Sequence, residues 1–179
     1  MTTVTSLYGQ SLYDLAAEEG LTEEILNEME TVDVIFKENP DYITLLSEPS
    51  IPKKERLGLL GEAFKDQLHP YLMNFLMILL EKSLLRGFSA CCRTFRESYN
   101  KDNGIAEATV TSAVALDEAQ VRSLLSKLEE LSGKTVHLRQ KVDGSLLGGL
   151  KVEIEGKLLD GTVTGRLADL RKKVSQTVL

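Results

Sequence analysis

Few residues in this 179-residue chain have both the type and the spacing to do chemistry. His69 and His137 stand far apart. His69 precedes a proline that can open a helix, and His137 falls on the polar side of an alternating run. Both read as surface residues. A zinc site needs Cys, His or carboxylate ligands gathered at short spacings. Neither histidine has such neighbours, so no metal is expected. Cys91 and Cys92 are adjacent. On a helix, neighbouring side chains point about 100° apart. The pair therefore reads as core packing, since a free thiol behaves as a small hydrophobe. Two adjacent cysteines build no disulfide framework, which points to a reducing compartment.

The stretch Gly144-Ser-Leu-Leu-Gly-Gly149-Leu150-Lys151 superficially matches a phosphate-binding loop. That loop needs Lys and then Ser or Thr directly after its second glycine. Here Leu150 intervenes, and Val152 follows Lys151. The segment also leads into a strand, so it offers no helix N-terminus to a phosphate. No nucleotide or other cofactor is expected. Glu153 and Glu155 share one strand face, which reads as a solvated face rather than an acid–base pair. Arg166, Arg171, Lys172 and Lys173 crowd the end of a helical pattern, where cations suit the helix dipole. No catalytic residue emerges.

The elements around these residues follow from periodicity. Val4, Leu7, Tyr8, Leu12, Leu15 and Ala16 repeat at helical spacing up to Gly20. Thr22 is placed to cap a second helix, whose stripe is Ile25, Met29, Val32 and Phe36. A short helix is expected over 42–46, and another, with Leu57, Leu60 and Phe64, after Pro52 at a first helical position. From Tyr71 to Leu80 the only polar residue is Asn74. A helix apolar all round is buried or membrane-spanning. This run is well short of the ~20 residues a bilayer span needs, so it reads as the central helix of a bundle. Phe88, Cys91, Cys92, Phe95 and Tyr99 form the next stripe.

At Ile105 the period changes to two, with Ala106, Ala108 and Val110 on one side. Asp117 and Gln120 form a capping box for a helix with Leu124, Leu125, Leu128 and Leu131. Val136, Leu138 and Val142 alternate in a second strand. Leu150, Val152 and Ile154 alternate in a third, Leu158 and Leu159 resume briefly, and Thr162 is placed to cap a closing helix. Val163, Leu167, Leu170, Val174 and Val178 share its stripe.

Composition is that of an ordinary globular chain: 42% hydrophobic, 27% charged, net charge −6. The acidic balance argues against nucleic acid as a partner. The N-terminus shows neither a basic start nor a long apolar run, so no leader peptide is expected.

The run from Leu146 to Leu179 resembles the C-terminal signature of the F-type ATP synthase delta subunit, the oligomycin sensitivity-conferring protein family. Gly148, Gly149, Gly156, Asp160, Thr162, Leu167 and Leu170 carry that resemblance, and the order of elements extends it over nearly the whole chain. The family pattern tends to have Ala where Gly9 and Ser11 stand, a basic residue near Leu84, and Pro where Gly144 stands.

The resemblance implies an α+β chain, with an N-terminal six-helix bundle over 1–104 and a small C-terminal α/β domain over 105–179. It implies a non-catalytic peripheral-stalk subunit. Such a subunit joins the alpha and beta subunits of the catalytic head to the C-terminal ends of the membrane-anchored b subunits. The head then resists rotation during proton-driven ATP synthesis. The implied location is the cytoplasmic face of the bacterial plasma membrane, reached only through the complex. The family receives an alpha-subunit helix between its first and fifth helices, which maps here to Tyr8, Ser11, Leu12 and Ile78. The alternative is that all four are bundle core, and for Leu12 the core and groove readings stand equal. The b subunits are assigned to Val163, Leu167, Leu170 and Val174. The competing reading is a small soluble enzyme with a dispersed site.

Overall fold

The computed structural model describes residues 2–65, 67–146 and 148–163. Among them are seven α-helices and a four-stranded sheet, a mixed α+β fold. They divide into two compact units, Met1–Tyr99 and Asn100–Leu179.

The first unit is helical. Its elements are α1 (Thr2–Glu18), α2 (Thr22–Glu38), α3 (Pro40–Leu46), α4 (Lys53–Ala63) and α5 (Pro70–Glu81), with α6 (Phe88–Asp102), which runs on past Tyr99, following a 3-10 turn at Leu85–Gly87. Their apolar faces meet in one core, in which Ile25, Met29, Leu46, Leu60, Leu72, Leu76 and Leu79 are sealed from solvent. Each such side chain contributes about 1.5–3 kcal/mol by leaving water. Aromatic rings lock the centre edge to face. Phe36 meets Phe88 at 5.5 Å and Phe64 at 6.0 Å, and Tyr13 meets Phe95 at 5.2 Å. Both cysteines are buried here.

Three local expectations change. Of the α1 stripe read from the sequence, Leu12 and Ala16 are buried, beside Thr5 and Tyr13, and Tyr8 is half-buried. Val4, Leu7 and Leu15 are left exposed. Thr22 is the first residue of α2, and the preceding Leu21 makes no side-chain cap bond. Pro52 occupies the cap position of α4, one residue before the helix. A buried carboxylate was also not anticipated. Asp33 of α2 accepts hydrogen bonds from Ser89 of α6 and, at 2.5 Å, from Lys37 one turn on. Burial of a carboxylate requires such partners.

The second unit contains β1 (Ile105–Ser112), α7 (Glu118–Ser132), β2 (Thr135–Val142), β3 (Leu150–Ile154) and β4 (Lys157–Asp160). The sheet order is β2-β1-β3-β4. β1 and β2 are parallel, with Ala108 opposite Leu138, and α7 supplies the crossover that parallel strands require. β1 and β3 are antiparallel, with Val110 opposite Val152. Antiparallel β3 and β4 place Val152 opposite Leu159. Ala106, Ala108, Val110, Val136, Val152 and Ile154 share one face, against Leu128 of α7. The capping box forms as expected. The Asp117 side chain accepts the Gln120 N–H at 2.8 Å, and the Gln120 side chain accepts the Asp117 N–H at 3.1 Å. Gly133 ends α7 at φ +66°, a conformation that costs glycine little. Leu131, counted in the α7 stripe, is instead 77% exposed. Thr162 is buried, and its N–H and hydroxyl both donate to Asp160, holding that carboxyl below its usual range. The closing helix lies outside the described residues beyond Val163.

Candidate functional site

The site begins with two helices that carry more apolar surface than their own core uses. α1 buries one face, and its other apolar residues form a second stripe. Tyr8, Ser11, Leu12 and Leu15 are spaced by three and four residues, so they stand one above another. α5 repeats the spacing with Tyr71, Asn74, Phe75 and Ile78. The two stripes line one cleft of about 260 Å³. Leu12 and Phe75 form its floor, at 4% and 6% exposure. Tyr8, Tyr71 and Ile78 are half-buried walls, and Leu15, Ser11 and Asn74 form the open rim. Exposed Leu7 and Val4 continue the apolar surface along α1.

Local chemistry fixes this geometry. Gly9 brings α1 against the backbone of Cys91 in α6. The Ser11 hydroxyl donates to the Leu7 carbonyl at 3.0 Å, so its polarity is satisfied within α1 and it leaves a small, low step in the rim. α5 starts at Pro70, whose fixed φ suits that position. His69 caps it: its Nδ1 accepts the Tyr71 N–H at 3.3 Å, and its ring packs on Tyr71 at 5.0 Å. The Glu28 carboxylate accepts the His69 N–H at 2.8 and 3.0 Å, tying the start of α5 to α2.

The structure therefore gathers Tyr8, Ser11, Leu12 and Ile78, expected as a set, around one cleft. Leu12 serves both core and cleft, because a floor residue touches each. The sequence reading missed Leu15, Tyr71, Asn74 and Phe75. For the last three the signal was the i, i+3, i+4, i+7 repeat of α5, overshadowed by a helix apolar on nearly every face. Of the residues assigned to the second unit's partner, Val163 is exposed. Leu167, Leu170 and Val174 lie outside the described residues.

The residues with chemical potential stay dispersed. His137 is exposed on β2. Burial pushes the Cys91 thiol up to about 11 and the Cys92 thiol higher still, with Asp33 adding to the rise. Such thiols are poor nucleophiles, because the thiolate is the reactive form. Among the described residues, no three His, Cys, Asp or Glu side chains are grouped to hold a metal ion. Nor is any helix there long and apolar enough to cross a membrane. A larger cavity of about 650 Å³ in the second unit lies among Leu116, Leu124, Gly148, Gly149 and Leu150. What the first cleft offers is an open, mainly apolar surface between α1 and α5.

Comparison with known proteins identifies the family. The ATP synthase subunit delta of Shouchella clausii is 30% identical over 96% of this chain and 95% of its own length. That of Clostridioides difficile is 28% identical over 98% and 97%. The fold matches a chain in a cryo-EM structure of the Toxoplasma gondii mitochondrial ATP synthase hexamer, with a TM-score of 0.76 at 17% identity, covering 95% of this chain and 96% of that one. The sequence pattern of the ATP synthase delta (OSCP) subunit matches residues 4–174. With element order, sheet topology and nearly full-length similarity in agreement, this chain belongs to the ATP synthase delta (OSCP) subunit family.

Proposed function

We infer that this chain is the non-catalytic connector of an ATP synthase peripheral stalk. Helices α1–α6 act as a six-helix bundle that holds an N-terminal helix of an alpha subunit at the crown of the catalytic head. The C-terminal unit, as a domain of its own, holds the ends of the membrane-anchored b subunits, at the cytoplasmic face of a bacterial plasma membrane. Torque from the central shaft drives the head to turn. A subunit bound to head and stalk together opposes that rotation, so proton flow is converted to ATP rather than to idle spinning.

The observation that carries the reading is the α1–α5 cleft. It is apolar, open, and as long as the two helical turns an amphipathic segment needs to seat its apolar stripe. Leu7, 66% exposed, and Leu15, 38% exposed, gain burial only when something docks there. The test is a substitution at the low step in the rim. Ser11→Trp should cut affinity for an alpha-subunit N-terminal peptide at least tenfold, about 1.4 kcal/mol. Its melting temperature should stay near that of the parent, because Ser11 is exposed. Titration calorimetry and a thermal melt on the same sample measure both. Unchanged affinity would remove the cleft from the interface.

A further inference from the structure

We propose that the α1–α5 cleft selects a helix with basic residues along the flank that lies against α1. This rests on the reading of the cleft as a helix seat and adds the chemistry of its occupant. Between Thr2 and Glu18, α1 contains no lysine or arginine. Its charged residues are Asp14 and Glu18, and both are exposed. Asp14 follows Ser11 by three residues and Leu7 by seven. Glu18 follows Leu15 by three and Ser11 by seven. At helical spacing, both carboxylates lie on the outer shoulder of the stripe that lines the cleft.

Asp14 is held in place. The Gln10 amide donates to it at 2.8 Å, while the Gln10 carbonyl accepts from Ser98 of α6 at 2.7 Å. On the α5 wall the charged residue is Glu81, which is already paired with Lys53 at 3.2 Å. Lys82 follows directly at the end of that helix. Among the described residues Asp14 and Glu18 pair with no cation, so the uncompensated negative charge beside the cleft sits on α1. A helix that lowers its apolar stripe between α1 and α5 brings its flanking positions over this shoulder, as in paired helices. Lysine or arginine there meets Asp14 and Glu18, and their aliphatic stems cover exposed Leu7. An acidic flank is repelled, which gives selectivity as well as attraction.

Stopped-flow binding with the full-length chain tests this. The probe is the N-terminal peptide of the alpha subunit from the same source, beside a version with its lysines and arginines replaced by glutamine. The parent on-rate should fall about tenfold between low and physiological salt, as charge steering is screened. Asp14→Asn with Glu18→Gln, or the neutralised peptide, should lower the low-salt on-rate about three- to tenfold and flatten the salt dependence. Ser11→Trp is run alongside. If it blocks binding while the charge variants leave on-rate and salt dependence unchanged, the basic-flank proposal is overturned and the cleft reading stands. Binding indifferent to Ser11→Trp overturns both.

Discussion

A Cβ placed on Gly9 of α1 would lie 2.6 Å from the carbonyl oxygen of Cys91 in α6 and 3.0 Å from its Cα. The obstacle is backbone, so no side chain can swing aside. Gly9→Ala gains about 1 kcal/mol of helix propensity. The forced separation of α1 and α6 costs about 1–3 kcal/mol, as overpacking does elsewhere. The second effect wins, so Gly9→Ala should lower the urea midpoint. It should also weaken helix docking, because α1 forms one wall of the cleft. Gly58 in α4 is the control. A Cβ there meets nothing within 4 Å, so Gly58→Ala should leave stability unchanged or raise it slightly. Equal effects of the two substitutions would show that the close approach does not constrain the fold.

The two buried thiols give a pH prediction. Burial raises Cys91 from an ordinary 9.0 to about 11, and raises Cys92 further. The protonated thiol is the form the fold favours. Its stabilising contribution is complete below pH 9 and is lost as pH rises from 9 towards 11. The native chain at pH 8 should react with an aromatic disulfide reagent only slowly, and both thiols should react at once in denaturant. Above pH 9 stability should decline, and Cys91→Ala with Cys92→Ala should remove much of that decline while lowering stability at pH 7. Rapid labelling of the native chain at pH 8 would contradict the burial.

Much of this architecture was legible in the sequence because local chemistry and tertiary packing agree. Asp117 and Gln120 specify a capping box, and Gly133 specifies a stop, without reference to anything distant. The alternation of Ala106, Ala108 and Val110 fixes which face of β1 is buried. The α1 face was read only in part, because the helix carries two apolar stripes at similar spacing that share Leu12. Periodicity cannot tell which one meets the core, and the deciding residue is Gly9, whose role depends on Cys91 far along the chain. Asp33 was invisible for the same reason. A carboxylate reads as surface until Ser89 is known to face it. The cleft residues Asn74 and Phe75 needed α1 and α5 to be placed side by side, which only tertiary structure supplies.

The two units should be separable by function. The second unit leaves apolar side chains in water: Leu131 at 77%, Leu158 at 53%, Leu159 at 48% and Val163 at 46%. A surface of this kind is suited to a partner. The cleft residues Tyr8, Ser11, Leu12 and Ile78 all lie in the first unit, so the two attachments should be separable. Truncation before Arg171 removes Val174 and three of the basic residues near the end of the chain. The truncated chain should lose capture of a fragment spanning the C-terminal ends of the b subunits and keep the parent affinity for the alpha-subunit peptide. A complementary cut should also be available. Gly104 adopts φ +62° between the end of α6 and the start of β1, and limited proteolysis around Asn103 to Ile105 should leave a folded N-terminal fragment that still binds the peptide. Circular dichroism and calorimetry on both products decide the matter. If either product loses both binding activities while remaining folded, head and stalk attachment share one surface, and the division of labour is wrong.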